Sequence, residues 1–230
     1  MEKLLFSKRM AWRLPFLLSL ALLSCTDMKQ SFTETVNGVS FEMVYVNSPI
    51  SSSKQPEGFF IGQTEVTQEL WEAVMGSNPS SFKGKDNPVE YVNWSECQDF
   101  IAKLNRLTGK AYRLPTEAEW EFAANGGEKS QEFEYSGSDD INEVAWNWNN
   151  SDKKTHPVKT KAPNELGIYD MSGNVCEWCE DMTLIDDSIQ TRAIRGGSWW
   201  VDDVDACRIS CKRSLWPDNN DNNVGLRLAL

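Results

Sequence analysis

Residues 195–230 read RGGSWWVDDVDACRISCKRSLWPDNNDNNVGLRLAL. Apolar, strand-like ends bracket this stretch: Ala193 and Ile194 lead into it, and Val224, Leu226 and Leu228 close it. The long irregular middle holds three of the chain's ten Trp, two of its six Cys and a dense Asp/Asn run. Apolar side chains are disfavoured in water, and carboxylates are disfavoured out of it. A segment that interleaves the two kinds between strand-like ends is expected to form a surface that contacts something.

Upstream of this stretch, helical periodicity is almost absent back to residue 127. Short strand candidates (Pro157-Val158, Gly167 to Tyr169, Ala193 to Arg195, and Val224 to Leu230) are separated by Asn/Asp/Gly-rich turns. Helices are expected earlier. Thr67 caps one that runs through Val74 and closes at Gly76. Ser95 with Gln98 forms a capping-box pattern ahead of an apolar stripe of Cys97, Phe100, Ile101, Leu104 and Leu107, ending near Gly109. Thr116 with Glu119 opens a third helix, with Trp120, Ala123 and Ala124 facing inward. Gly38 to Val46 alternates as a strand with Val39, Phe41, Met43 and Tyr45 on one face, and Gly58 to Gly62 reads as a short buried strand. The class is α+β, in one domain over residues 38–230.

The first residues read as a targeting segment. Lys3, Lys8, Arg9 and Arg13 precede an apolar run from Leu14 to Leu23, too short for a membrane span, and Ser24-Cys25 follows. Residues 1–24 are therefore expected to be a signal peptide. Cys25 stands where bacterial lipoproteins are acylated, and residues 25–37 form a polar tether. Localisation is then the bacterial envelope, outer membrane or cell surface, with the lipid anchor as the only membrane contact. The formal charge is −11. Removing four bases and one acid with the signal leaves 19 basic against 33 acidic residues, net −14. Such a chain is no partner for nucleic acid, whose phosphates call for clustered Lys and Arg. Five Cys remain (97, 176, 179, 207 and 211), an odd number, in a compartment where disulfides are possible.

Five motifs occur in a set order: Gly62 to Thr67 (GQTEVT), Arg113 to Glu121 (RLPTEAEWE), Gly167 to Val175 (GIYDMSGNV), Arg195 to Trp199 (RGGSW) and Gly225 to Ala229 (GLRLA). Together they resemble the sulfatase-modifying factor family, whose founding activity is the formylglycine-generating enzyme. The resemblance covers about residues 36–230. It implies an elaborated C-type-lectin-like fold poor in regular structure. It also implies an oxidase that converts a sulfatase Cys to formylglycine with copper held by two Cys, the first three residues after the motif Ser and the second five further on. Here those positions are Val201 and Ala206. Neither can supply the soft thiolate that copper(I) needs, so copper is not expected. Cys207 and Cys211 are the only candidates for a displaced pair.

The same resemblance implies calcium, held by the side chains of Asp170 and Glu177 and the backbone oxygens of Gly173 and Val175. Two carboxylates with carbonyls from an irregular loop suit Ca²⁺. The family's other calcium site usually begins with Asn, here Val144, and is not carried over. Cys176-Glu177-Trp178-Cys179 has thioredoxin-like spacing without the βαβ context, and with Cys207 and Cys211 it could make a four-Cys zinc site. Trp71, Trp94, Trp120 and Trp178 are expected in the core. Arg113, Arg195, Arg208 and Arg227 are expected to tie loops to buried carboxylates.

Trp199, Trp200, Asp202, Asp203, Asp205, Trp216, Asn219 and Asn220 are the candidate ligand contacts, on a face running from Ser198 to Asn223. Aromatics supply contact area and acids supply polarity. The partner is a protein or a glycan. Two forms of a non-catalytic reading stay open: a fixed envelope scaffold, or a display protein whose C-terminal segment is diversified by a retroelement at adenine-containing codons. The other class is an enzyme, a Cys-oxidising relative acting on sulfatases.

Overall fold

A computed structural model describes residues 31–48, 58–185 and 189–230. Cys25 and the signal segment lie outside the described residues. Strands and helices mix as α+β. The expected tether is shorter than 25–37, because Phe32–Val36 forms a strand, β1, antiparallel to β2 (Val39–Val46). Asn37 and Gly38 turn between them, both at positive φ (50° and 86°), the backbone of the two-residue hairpin that Asn-Gly favours. β3 (Phe59–Gly62) pairs on the other side of β2 to complete a three-stranded sheet. β2 is covered on both faces: Met43 is buried, and so are Val44 and Val46 on the opposite face. The one-sided pattern expected for it therefore does not hold.

The helices start where capping chemistry permits. Thr67 caps α1 (Gln68–Met75) through a bond from Leu70 N. Thr116 and Glu119 form the expected capping box of α3 (Glu117–Ala124). The box of α2 (Trp94–Thr108) is instead Asn93 with Glu96, two residues ahead of the expected Ser95 and Gln98. Both pairs have the required i,i+3 spacing. The earlier one wins because the chain enters from an extended segment, with Asn93 at φ −85° and ψ 171°. Leu107, expected on the apolar stripe, is exposed. A short α4 (Ile141–Val144) follows.

The second sheet has the order β6-β5-β4-β7, from β4 (Cys176–Ile185), β5 (Ile189–Arg195), β6 (Arg213–Leu215) and β7 (Val224–Leu226). β7 runs parallel to β4, and the other pairs are antiparallel. Pro157-Val158 and Gly167 to Tyr169 are not strands. β4 is not apparent from sequence. Cys176, Glu177, Trp178 and Cys179 are all buried, so its start shows no alternation.

One buried ion pair joins the two sheets to α3. Arg227, just past β7, clasps Glu177 of β4 through Nε (2.9 and 3.1 Å) and Nη2 (2.7 Å). Its remaining donors reach Gly62 O at the end of β3 (2.9 Å) and Tyr169 O (2.8 Å). Trp120 Nε1 of α3 donates to Glu177 Oε2 at 2.7 Å. Arg227 and Glu177 have no solvent exposure. The other arginines also meet acids: Arg195 binds Glu117 and Glu121, Arg113 binds Glu119, and Arg208 binds Glu134 and Asp205. Trp71, Trp120 and Trp178 are core as expected. Trp94 is only half-buried, with the Arg192 guanidinium 3.9 Å from its ring centre.

Two outcomes follow from this interior. Arg227→Met strands the Glu177 carboxylate in the core and should cost about 3–5 kcal/mol in urea unfolding, with Glu177→Gln in the same chain restoring part of it. Glu90 is fully buried; its Oε1 accepts from Phe82 N at 2.7 Å, and its Oε2 has no partner among the described residues. Burial pushes its pKa up. A raised folded-state pKa means stability is complete below the unfolded value and is lost as pH rises through the folded one. Glu90→Gln should therefore stabilise the protein more at pH 7 than at pH 4, measured by urea unfolding at both.

Candidate functional site

The chain leaves β5 at Arg195, makes the 196–223 excursion through β6, and re-enters the sheet at β7. Its two anchors flank the same central strand, β4. On that sheet a cleft of about 320 Å³ opens. Cys176, Ile194 and Val224 come from three neighbouring strands, Arg213 and Leu215 from the fourth. Val201, Asp221 and Asn223 contribute from the excursion. The cleft thus combines an aliphatic interior with one exposed cation, one exposed anion and a carboxamide. Another hollow, of about 330 Å³, lies apart from this face against Gln63, Thr64, Thr67 and Lys159.

The expected contact residues divide. Trp199 is buried at 2% exposure. It donates from Nε1 to Asn222 O at 3.0 Å and meets Phe82 edge-on at 5.1 Å, so it fastens the excursion down and does not face a ligand. The next residue faces outward: Trp200 is 54% exposed and Trp216 51%. Trp200 packs edge-on against Trp148 (5.4 Å), which carries Lys153 Nζ 4.7 Å from its ring centre. Asp202 and Asn220 are exposed. Asp203 and Asp205 are exposed too but have local work. Asp203 caps the 3₁₀ turn Val204–Cys207, and Asp205 pairs with Arg208. Asn219 is half-buried and donates to Asp221 Oδ2 at 2.7 Å.

Sequence reasoning misses Trp148 and Tyr91 as parts of this face, and takes in Arg213 and Asn223 only by its span from Ser198 to Asn223. Tyr91 is 45% exposed at φ 67°, and its N–H donates to Asp221 O. A bulky residue in the left-handed region costs about 1–3 kcal/mol and marks a constrained place. No sequence pattern announces that. Asp221 and Asn223, however, sit in the very Asn/Asp run that drew attention to the segment.

Val201 and Ala206 stand where the resemblance puts the copper thiolates. Val201 lines the cleft and Ala206 is buried beneath it. Cys207, one of the displaced candidates, is fully buried, and burial pushes its thiol up to about 12, as it does for Cys176. The thiolate is the form that binds copper or attacks, so Cys207 is poorly suited to either. Cys211 is half-buried. The four-Cys grouping does not form. Cys176 and Cys179 are three apart on one strand and point to opposite faces, into separate core clusters. Among the described residues, no group of three or more His, Cys, Asp or Glu side chains is placed to hold a metal.

The two carboxylates expected for calcium have different surroundings. Asp170 suits a cation: it is 3% exposed, its Oδ1 is unpartnered, and burial pushes its pKa up to about 6. Glu177 does not, because Arg227 clasps both its oxygens and Trp120 donates to Oε2. Of the expected set of Asp170, Gly173, Val175 and Glu177, one carboxylate is thus engaged by Arg227, and the other keeps an oxygen without a partner among the described residues. His156 also serves structure: its ring stacks on Trp146 at 3.8 Å and its Nε2 meets Ser151 O at 2.7 Å.

The model of the sulfatase-modifying factor enzyme 1-like domain matches residues 27–230. The chain is 38% identical to the chaperone protein LppX of Paenibacillus barcinonensis, over 74% of this chain and 79% of that one. It is 31% identical to the inactive C-alpha-formylglycine-generating enzyme 2 of Bos taurus, over 71% of this chain and only 57% of that relative's length. Among solved structures, Treponema denticola variable protein 1 superposes with a TM-score of 0.77 at 32% identity, covering 87% of this chain and 99% of that one. The chain belongs to the sulfatase-modifying factor family.

Proposed function

We propose that this chain is a non-catalytic binding protein of the bacterial envelope, held by lipid on Cys25, that grips a protein partner through its Ser198–Asn223 face. One observation carries the reading. The open cleft is lined by Val201 in place of a thiolate, and it is bordered by an ion of each sign and a carboxamide. Exposed Trp200 and Trp216 lie on the same excursion. Large aromatics half in water on a mixed-charge surface are the side chains that dominate protein interfaces. The names of two similar proteins, a chaperone and a variable protein, support binding over oxidation, and the chaperone supports a protein ligand over a glycan. The excursion is also suited to variation. Its anchors and its buried plug Trp199 hold the frame, while Trp200, Asp202, Trp216 and Asn220 project outward, Trp200 with its edge on Trp148.

The test uses the full chain against the exported proteins of its own cell and against a glycan array. A partner retained by wild type should be lost by about 30-fold or more on Trp200→Ala or Trp216→Ala, a loss of about 2 kcal/mol. The thermal midpoint should be unchanged in Trp216→Ala and lowered by only a few degrees in Trp200→Ala, whose half-exposed ring also touches Trp148 and Trp199. Array binding without protein capture would replace the protein with a glycan. Copper(I) titration and a sulfatase Cys peptide address the enzyme reading: tight copper binding with an aldehyde product would overturn the proposal. The diversified form requires a reverse transcriptase and a near-copy of the segment in the neighbouring DNA, and their absence leaves the fixed form.

A further inference from the structure

We propose that Cys176 and Cys211 are a cross-linking pair whose disulfide fastens the 196–223 excursion to the central strand beneath the cleft. The two thiols border one small hollow together with Gly197, Ala206 and Arg213. It has no room for a water molecule, so no solvent layer separates its walls. Cys207 is the nearest competitor, close enough to feel the charge of Cys176 and of Cys211, but it does not border the hollow. Its Sγ packs behind Gly197, 2.7 Å from where a Cβ on that residue would stand, in a cluster with Tyr135 and Val144. Cys97 and Cys179 are fully buried within α2 and on the opposite face of β4. Only Cys211 of the five is partly exposed, so it is the thiol an external oxidant can reach.

The oxidant is a disulfide, from a protein or a small molecule. Cys211 Sγ attacks one of its sulfurs, forming a mixed disulfide and expelling the first thiol. Cys176 Sγ then attacks Cys211 Sγ and expels the second. Two electrons pass from the protein to the oxidant, and the two thiol protons leave with the products. The high pKa of buried Cys176 makes the second step slow once the chain has folded. The bond therefore forms mainly during folding and resists reduction afterwards.

The full chain is refolded in mixed reduced and oxidised glutathione, blocked with an alkylating agent after denaturation, and mapped by mass spectrometry without reduction. A Cys176–Cys211 linked peptide is expected, with Cys97, Cys179 and Cys207 alkylated. The oxidised form should melt on the order of 10 °C above the dithiothreitol-treated form. Cys211→Ser should remove both the linked peptide and the difference in melting, and Cys207→Ser should keep both. Five alkylated thiols after oxidation, or a link that joins Cys207 to either partner, would overturn the proposal. Wild-type mapping decides the matter even if a variant fails to fold.

Discussion

A guanidinium placed in a protein interior is costly unless its charge is balanced and its donors are answered. Arg227 meets that condition because three separate parts of the chain converge on it, while a fourth braces its carboxylate. β4 supplies the carboxylate of Glu177, β3 ends with the Gly62 carbonyl facing it, and the 167–170 turn offers the Tyr169 carbonyl. α3 sends Trp120 to the far side of Glu177. The two sheets and this helix are thus positioned relative to one another by a polar cluster, with apolar packing filled in around it. A fold with so little regular structure gains definition from such a cluster. Loops cannot hold their own shape through backbone ladders, so side-chain bonds hold it for them.

The same cluster divides the two carboxylates of the GIYDMSGNVCE segment, engaging Glu177 and leaving an oxygen of Asp170 without a partner among the described residues. A carboxylate pair and loop carbonyls can be recognised along the chain as calcium chemistry. What cannot be recognised is an arginine fifty residues further on that reaches the same carboxylate first. Local motifs record which atoms are on offer, and tertiary structure decides who takes them.

Legibility followed the same division. Caps, turns and helix ends depend on neighbours within four residues, and Thr67, Thr116 with Glu119, Gly76 and Gly109 were all readable. The hairpin of β1 and β2 is not read from sequence, although Asn37-Gly38 carries its turn signal, because the polar strand before it looks like tether. β4 is not read either, since a central strand buried on both faces loses the alternation that marks a strand. At the face, Trp199 and Trp200 are chemically identical neighbours with opposite fates, one a plug and one exposed. Composition places both in the segment, and only packing separates them. Tyr91 and Trp148 come from distant stretches and join the face through backbone and ring contacts to the excursion, which no linear pattern encodes.

The bond from Arg227 to the Gly62 carbonyl spans 165 residues, and Leu228 O accepts from Gly62 N across nearly the same distance. Contacts of such long range form late, because most of the chain must already be collapsed before they become probable. Until residues 224–229 dock, Glu177 and the β3 edge lack their partners and the interior stays open. A chain in which that docking has not occurred exposes apolar surface to other chains. The segment that carries the outward-facing surface is also the segment whose arrival ends that vulnerability. A substitution at either anchor would therefore disturb folding as well as the outward face, whereas one between the anchors bears on the face alone.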